Sequence, residues 1–148
     1  MEQNSSSSQN ENSRFDGLVE SLKGNKISNS KLRDEVFNLL LDDATESPSA
    51  GKFYIFEYDP KFADKLKEWD AYPIIYAMEF KKNNLIGANI HYIRTTNARL
   101  KALNSMSFPK KTLRQYIPKR ADSIFFEIKE SEVQLLSTLP LEKFHYNR

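Results

Sequence analysis

Apolar residues recur at two spacings along this chain, and the changes between them outline its elements. Leu32, Val36, Leu39 and Leu40 fall at helical spacing in KLRDEVFNLLLDDA. Ser30 is the expected N-cap of that helix, and Asp34 and Glu35 suit its first turns by charge. A shorter helix is expected over 15–22, ending at Gly24, a residue that readily takes the left-handed conformation. From residue 53 the pattern changes. FYIFEY (53–58) is aromatic and β-branched with both faces apolar, which predicts a strand covered on both sides. Asp59-Pro60 ends it, because proline supplies no ladder donor. Residues 62–72 read as a loop or a short helical turn. PIIYAMEF (73–80) and residues 85–93 read as two strands of a hairpin joined at Lys81–Asn84. Gly87 inside the second strand predicts a bulge or a bend at a barrel corner. Helical spacing returns over 96–106, with Leu100 and Leu103 facing inward. A short helical piece is expected over 113–117, stopped by Pro118. SIFFEI (123–128) is a further strand, and Ser131 opens a last helix that Pro140 ends.

These elements predict an α+β fold: a small antiparallel sheet or an SH3-like barrel with N-terminal and C-terminal helices. Three segments are expected: a disordered tail over 1–13, a helical segment and linker over 14–50, and a small β-barrel-like domain over 51–148. The tail reads MEQNSSSSQNENS. It has too little apolar surface to offset its ordering entropy, and it lacks the apolar core of a secretory signal.

Charge changes this picture more than composition does. The chain totals +2, yet the stretch between Glu79 and Asp122 contains no acidic residue. Its ten basic residues are Lys81, Lys82, Arg94, Arg99, Lys101, Lys110, Lys111, Arg114, Lys119 and Arg120, which leaves −8 for the remainder of the chain. Such polarisation suits phosphate backbones or an acidic protein partner, whereas charges scattered over opposite faces would suit neither. Tyr92, Phe108 and Tyr116 lie among the basic groups and could stack on bases, although the core is the expected home of Phe108 and Tyr116. Contacts to four to six phosphates would cut affinity by roughly a hundredfold or more over a fourfold salt increase.

Other chemistry is thinly supplied. There is no cysteine, so disulfides, thiolate metal sites and cysteine nucleophiles are excluded. Two histidines, His91 and His145, offer little for a metal site. No run of residues is apolar enough for a membrane span. The glycines form no phosphate-cradling loop, and no nucleophile elbow occurs. Acid–base chemistry would have to draw on Asp59, Asp64, Glu68 or Asp70 with His91 and Arg94. Asp59 before a proline reads better as a turn residue, and His91 as a satisfied residue of a strand. No cofactor, metal or small-molecule substrate is expected.

One resemblance covers about residues 14–144. The run Gly51-Lys-Phe-Tyr54-Ile-Phe56-Glu-Tyr58-Asp59-Pro60-Lys61 is followed by Trp69-Asp70 and Tyr72-Pro73. Then come Gly87-Ala-Asn89-Ile-His91-Tyr92, Arg99, Phe126-Glu127-Ile128 and Leu139-Pro140-Leu-Glu142-Lys-Phe144. In order and spacing this resembles a small protein recurrent in T-even-like tailed bacteriophages. The chain departs from that pattern after Tyr92, where Ile93-Arg94-Thr95-Thr96 replaces a proline pair. The resemblance implies a virion-associated or genome-handling protein, as a structural component or at packaged DNA ends. It implies a location in the virion or the host cytoplasm, and it supplies no catalytic residues.

The leading expectation is a non-enzymatic phage protein that contacts DNA, without sequence preference, or phage structural proteins through residues 81–120. One alternative is a nuclease-type enzyme on a small barrel with Asp59, Asp70 and His91 near one rim. The other is an assembly module that docks an acidic protein partner.

Overall fold

The computed structural model describes residues 13–24, 27–59, 68–81, 84–118, 124–141 and 144–146. The chain divides into two compact units, Met1–Leu39 and Leu40–Arg148. Among the described residues no helix is long and apolar enough to cross a membrane.

The first unit holds α1 (Asp16–Gly24) and α2 (Asn29–Leu39). Ser13 caps α1: its Oγ accepts the Phe15 amide at 3.0 Å, its carbonyl accepts the Asp16 amide at 3.0 Å, and its own amide donates to Asp16 Oδ2 at 3.1 Å. Residues 1–12 of the expected tail lie outside the described residues. Removing them is expected to leave the unfolding midpoint unchanged. Removing Ser13 as well should cost about 1 kcal/mol, the usual worth of an N-cap, and equal midpoints for the two truncations would contradict that. The cap of α2 is Ser28 and not Ser30. Ser28 Oγ accepts the Lys31 amide at 3.2 Å and its carbonyl accepts the Leu32 amide at 2.9 Å, so the helix starts two residues earlier than a Ser30 cap would place it. Leu32 and Val36, one helical turn apart, are its buried residues.

The second unit is built on a six-stranded sheet. Its strands are β1 (Ala44–Thr45), β2 (Phe53–Ile55), β4 (Ile74–Lys81), β5 (Asn84–Asn89), β6 (Leu113–Tyr116) and β7 (Phe125–Ile128), in the order β1-β7-β2-β4-β5-β6. Every pairing is antiparallel. β3 (Glu68–Asp70) and β8 (Phe144–Tyr146) form a separate two-stranded ribbon. The fold is therefore α+β with an open sheet, and the SH3-like barrel is corrected: among the described residues nothing pairs β1 with β6. β1 is only two residues long, and Pro118, just beyond β6, has no N–H with which to extend a ladder.

Two further expectations are corrected. Residues 113–116 are a strand paired with β5, since four residues carry too few positions for a helical period to be told from an alternating one. Residues 68–70, expected in a loop, form β3, whose partner stands more than seventy residues later in the chain. The hairpin is present, with Lys81 opposite Asn84, although Lys82 and Asn83 lie outside the described residues. Its bulge is at Met78 on β4 and not on Gly87 itself. β5 also ends earlier than expected, at Asn89, and Ile90–Tyr92 form a 3-10 turn.

All three β2 residues are buried, as an inner strand requires. One face of the sheet carries an aromatic cluster in which Phe56 meets Tyr116 edge-on at 5.4 Å and Phe125 at 4.7 Å, and Tyr58 meets Tyr116 at 5.0 Å. The polar tips are satisfied: Tyr54 Oη accepts the Ser49 amide and Tyr58 Oη accepts the Ile117 amide. α3 (Thr96–Ser105) and α4 (Glu130–Thr138) lie against each other. Thr95 caps α3 through the Ala98 amide, and Met106 ends it with φ of 52°. Leu103 is buried on α3, whereas Leu100 is exposed and does not face inward as expected.

Candidate nucleic-acid interface

Where β5 gives way to the 3-10 turn, the chain needs a cap, and Asn89 supplies it. Its Oδ1 accepts the His91 amide at 2.8 Å. The Asn89 side-chain amide also donates to Asp70 Oδ2 and to Tyr116 Oη, both at 3.2 Å. Asp70 Oδ2 meets His91 Nδ1 at 2.6 Å, and Asp70 Oδ1 accepts the Tyr72 amide at 3.0 Å. Asn89 and His91 are 0 % exposed and Asp70 4 %, so this is an interior network. Burial pushes the Asp70 carboxyl up most strongly. The hydrogen bond and charge of His91, with the Tyr72 and Asn89 donors, outweigh burial and hold it below the usual aspartate value. Burial, and then the Asp70 charge, push the Tyr116 hydroxyl well above its usual value, so it remains a neutral partner for Asn89.

Arg99 supports the same turn from α3. Its guanidinium donates to the carbonyls of Ile93, of Ser137 at 2.6 Å and of His91 at 3.4 Å. One side chain thus ties the turn to both α3 and α4. The planar, five-donor fork of arginine suits that task, and lysine could not reproduce it.

The turn presents Tyr92, half-buried, to two other cations. The Arg114 guanidinium stands 4.1 Å from the centre of the Tyr92 ring and that of Arg94 stands 5.6 Å away, both within cation–π range. Arg114 comes from the edge strand β6 and is steadied by the carbonyls of Lys111 and Leu113 at 2.6 and 2.8 Å. Lys110 and Lys111 lie on a second 3-10 turn, Lys110–Thr112, which touches the Ile90–Tyr92 turn. Both lysines are exposed, as is Arg94.

The ten basic residues therefore fall into distinct settings. Arg94 and Arg114 stand against the Tyr92 ring, and Lys110 and Lys111 lie on the adjoining turn. Arg99 is engaged with backbone carbonyls. Lys101 is exposed on α3 and lines an open pocket beside Phe108. Lys81 is exposed at the hairpin end of β4, the end away from Asn89. Lys82, Lys119 and Arg120 lie outside the described residues. Of the acid–base candidates, Asp70 and His91 do meet, but inside the protein. Asp59 is exposed, and Asp64 lies outside the described residues. The partners Asn89 and Tyr116 were not anticipated in this network. The one sequence signal for Asn89 is the Gly87-x-Asn89-x-His91-Tyr92 spacing, which places a cap two residues before the histidine.

A family model described as Phage T4 terminal DNA protecting protein matches residues 11–108, about two thirds of the chain. No curated protein and no solved structure matches.

Proposed function

We propose that this chain, which belongs to the phage T4 terminal DNA protecting protein family, binds DNA ends as a non-enzymatic cap and holds their backbone phosphates on its basic segment. The observation that carries the reading is the placing of Arg94 and Arg114 against Tyr92, with the exposed Lys110 and Lys111 on the adjoining turn. Two adjoining turns and an edge strand bring together charges that stand up to twenty residues apart in the chain. Phosphate contacts of this kind fix a protein on DNA without reading its sequence, which suits termini of any sequence. The protein would act at phage DNA termini, in the virion or in the host cytoplasm.

The nuclease alternative is disfavoured by the same geometry. Both oxygens of Asp70 are engaged, and Asp70 and His91 are shut inside the protein, away from any phosphodiester. Asp59 lies at the surface.

Fluorescence anisotropy with a labelled linear duplex, at low and moderate salt and with closed circular DNA as competitor, tests the proposal. Tight, salt-steep binding that circular DNA fails to compete is expected. Equal competition would mean general backbone binding, and no binding at low salt would leave the basic segment as a surface for an acidic protein. Replacing Lys110 and Lys111 together by alanine should lower affinity alike for all sequences. The log–log salt slope should fall by about two, one for each lost phosphate contact, and an unchanged slope would remove both lysines from the interface.

A further inference from the structure

The pocket beside α3 is separate from the Tyr92 cluster and has a different character. Its volume is about 350 Å³, and its lining includes Ile93, Ala98, Lys101, Ala102, Phe108 and Pro109. That volume lies within the range of small-molecule sites, roughly 300–1,000 Å³. The walls are mostly apolar, and Phe108 is already held in a stack on Tyr76, with ring centres 5.4 Å apart and planes 28° from parallel. A flat, held aromatic wall favours a flat ligand, because a third ring extends the stack without having to order the second. The one charged side chain of the lining is Lys101, a cation. Two lining residues, Ile93 and Pro109, are followed directly in the chain by Arg94 and Lys110 of the basic cluster. An aromatic floor, a cation at its side and a phosphate-binding surface leading into it match one chemical object: a nucleotide.

We infer that this pocket receives a single unpaired nucleotide at a DNA end, its base against Phe108 and its phosphate on Lys101. The inference rests on the end-binding reading and extends it: the basic cluster holds the duplex, and the pocket registers the strand terminus. A base inside an intact duplex is stacked on both sides and cannot enter, whereas a frayed or overhanging terminal base can. A pocket of this kind would separate ends from continuous DNA, which phosphate contacts alone cannot do.

The test uses duplexes with a blunt end or with a one-nucleotide overhang carrying 2-aminopurine, and the full chain. The wild-type protein is expected to quench the unpaired 2-aminopurine and to prefer the overhang to the blunt end by about tenfold, the scale of one base–aromatic stack. Ala98→Leu, at an exposed helical position, should obstruct the pocket. It should abolish the quenching and the preference while blunt-end affinity and unfolding midpoint stay at wild-type values. Lys101→Gln, also at an exposed helical position, provides a second variant and should reduce the preference without blocking entry. Overhang duplexes bound without quenching, or quenching that survives in both variants, would overturn the pocket assignment and leave end binding standing. Failure to bind any linear duplex would remove the end-binding reading, and the pocket assignment with it.

Discussion

Asp70→Ala is expected to cost about 3–5 kcal/mol, the scale of breaking a buried hydrogen-bond network whose donors are each worth about 1–3 kcal/mol when left unsatisfied. The loss is larger than a surface change because three donors lose their acceptor together: the Tyr72 amide, the Asn89 side chain and His91. Asn89 keeps Tyr116 as an acceptor, but the buried His91 side chain loses its carboxylate and the turn is drawn toward water. For a chain of this length the thermal midpoint should fall by on the order of 10 °C. Acid should narrow the difference between the two proteins, and the sign follows from Asp70. Its carboxyl titrates below the usual aspartate value in the folded protein. Its stabilisation is therefore complete above that usual value and is lost as the pH falls toward the depressed one. Urea titrations of both proteins at neutral pH and near pH 3 check this. A stability difference that does not change with acidification would mean the carboxylate charge contributes nothing.

Gly87→Val should destabilise by about 3 kcal/mol, at the upper end of what overpacking costs. A Cβ at this position would lie 2.9 Å from Ile75 Cδ1, 3.2 Å from Ile75 Cβ and 3.1 Å from the Tyr76 carbonyl oxygen. The first contact could be relieved by a rotation of Ile75. The other two involve atoms fixed to the backbone of the neighbouring inner strand, so the sheet itself must part. Valine adds two methyl groups beyond that Cβ, and its strand preference of under about 1 kcal/mol does not compensate. Gly17→Ala is the matching control, since a Cβ there meets nothing within 4 Å and should change stability little. Denaturant midpoints report both effects, and equal midpoints for Gly87→Val and wild type would mean that the β4–β5 pair yields at no cost.

Where neighbouring residues decide an element, the sequence was a good guide. FYIFEY announced an inner strand, the two apolar runs around Lys81–Asn84 announced the hairpin, and Thr96–Met106 announced α3. Where a distant partner decides, the sequence was silent. Glu68-Trp69-Asp70 is a strand only because residues 144–146 return to it. Leu113–Tyr116 is a strand only because β5 offers an edge. The interface divides in the same way. The charge run could be read directly, but its grouping could not, because the β5–β6 register delivers Arg114 to Tyr92 while Arg99 turns to three carbonyls. Asp70 and His91 stood out as titratable residues. Their meeting inside the protein depends on Asn89, whose amide looks unremarkable in a sequence.

The strand order sets a timetable for synthesis. β7 lies between β1 and β2, so Phe53 pairs with Ile128, 75 residues later in the chain. At roughly 5–20 residues per second, a ribosome needs several seconds to supply that partner. Throughout the interval the nascent chain carries Phe53-Tyr54-Ile55 with one hydrogen-bonding edge vacant. Lengthening the delay with slow codons between 60 and 120 should increase aggregation of the nascent chain, while the finished protein stays as stable as before.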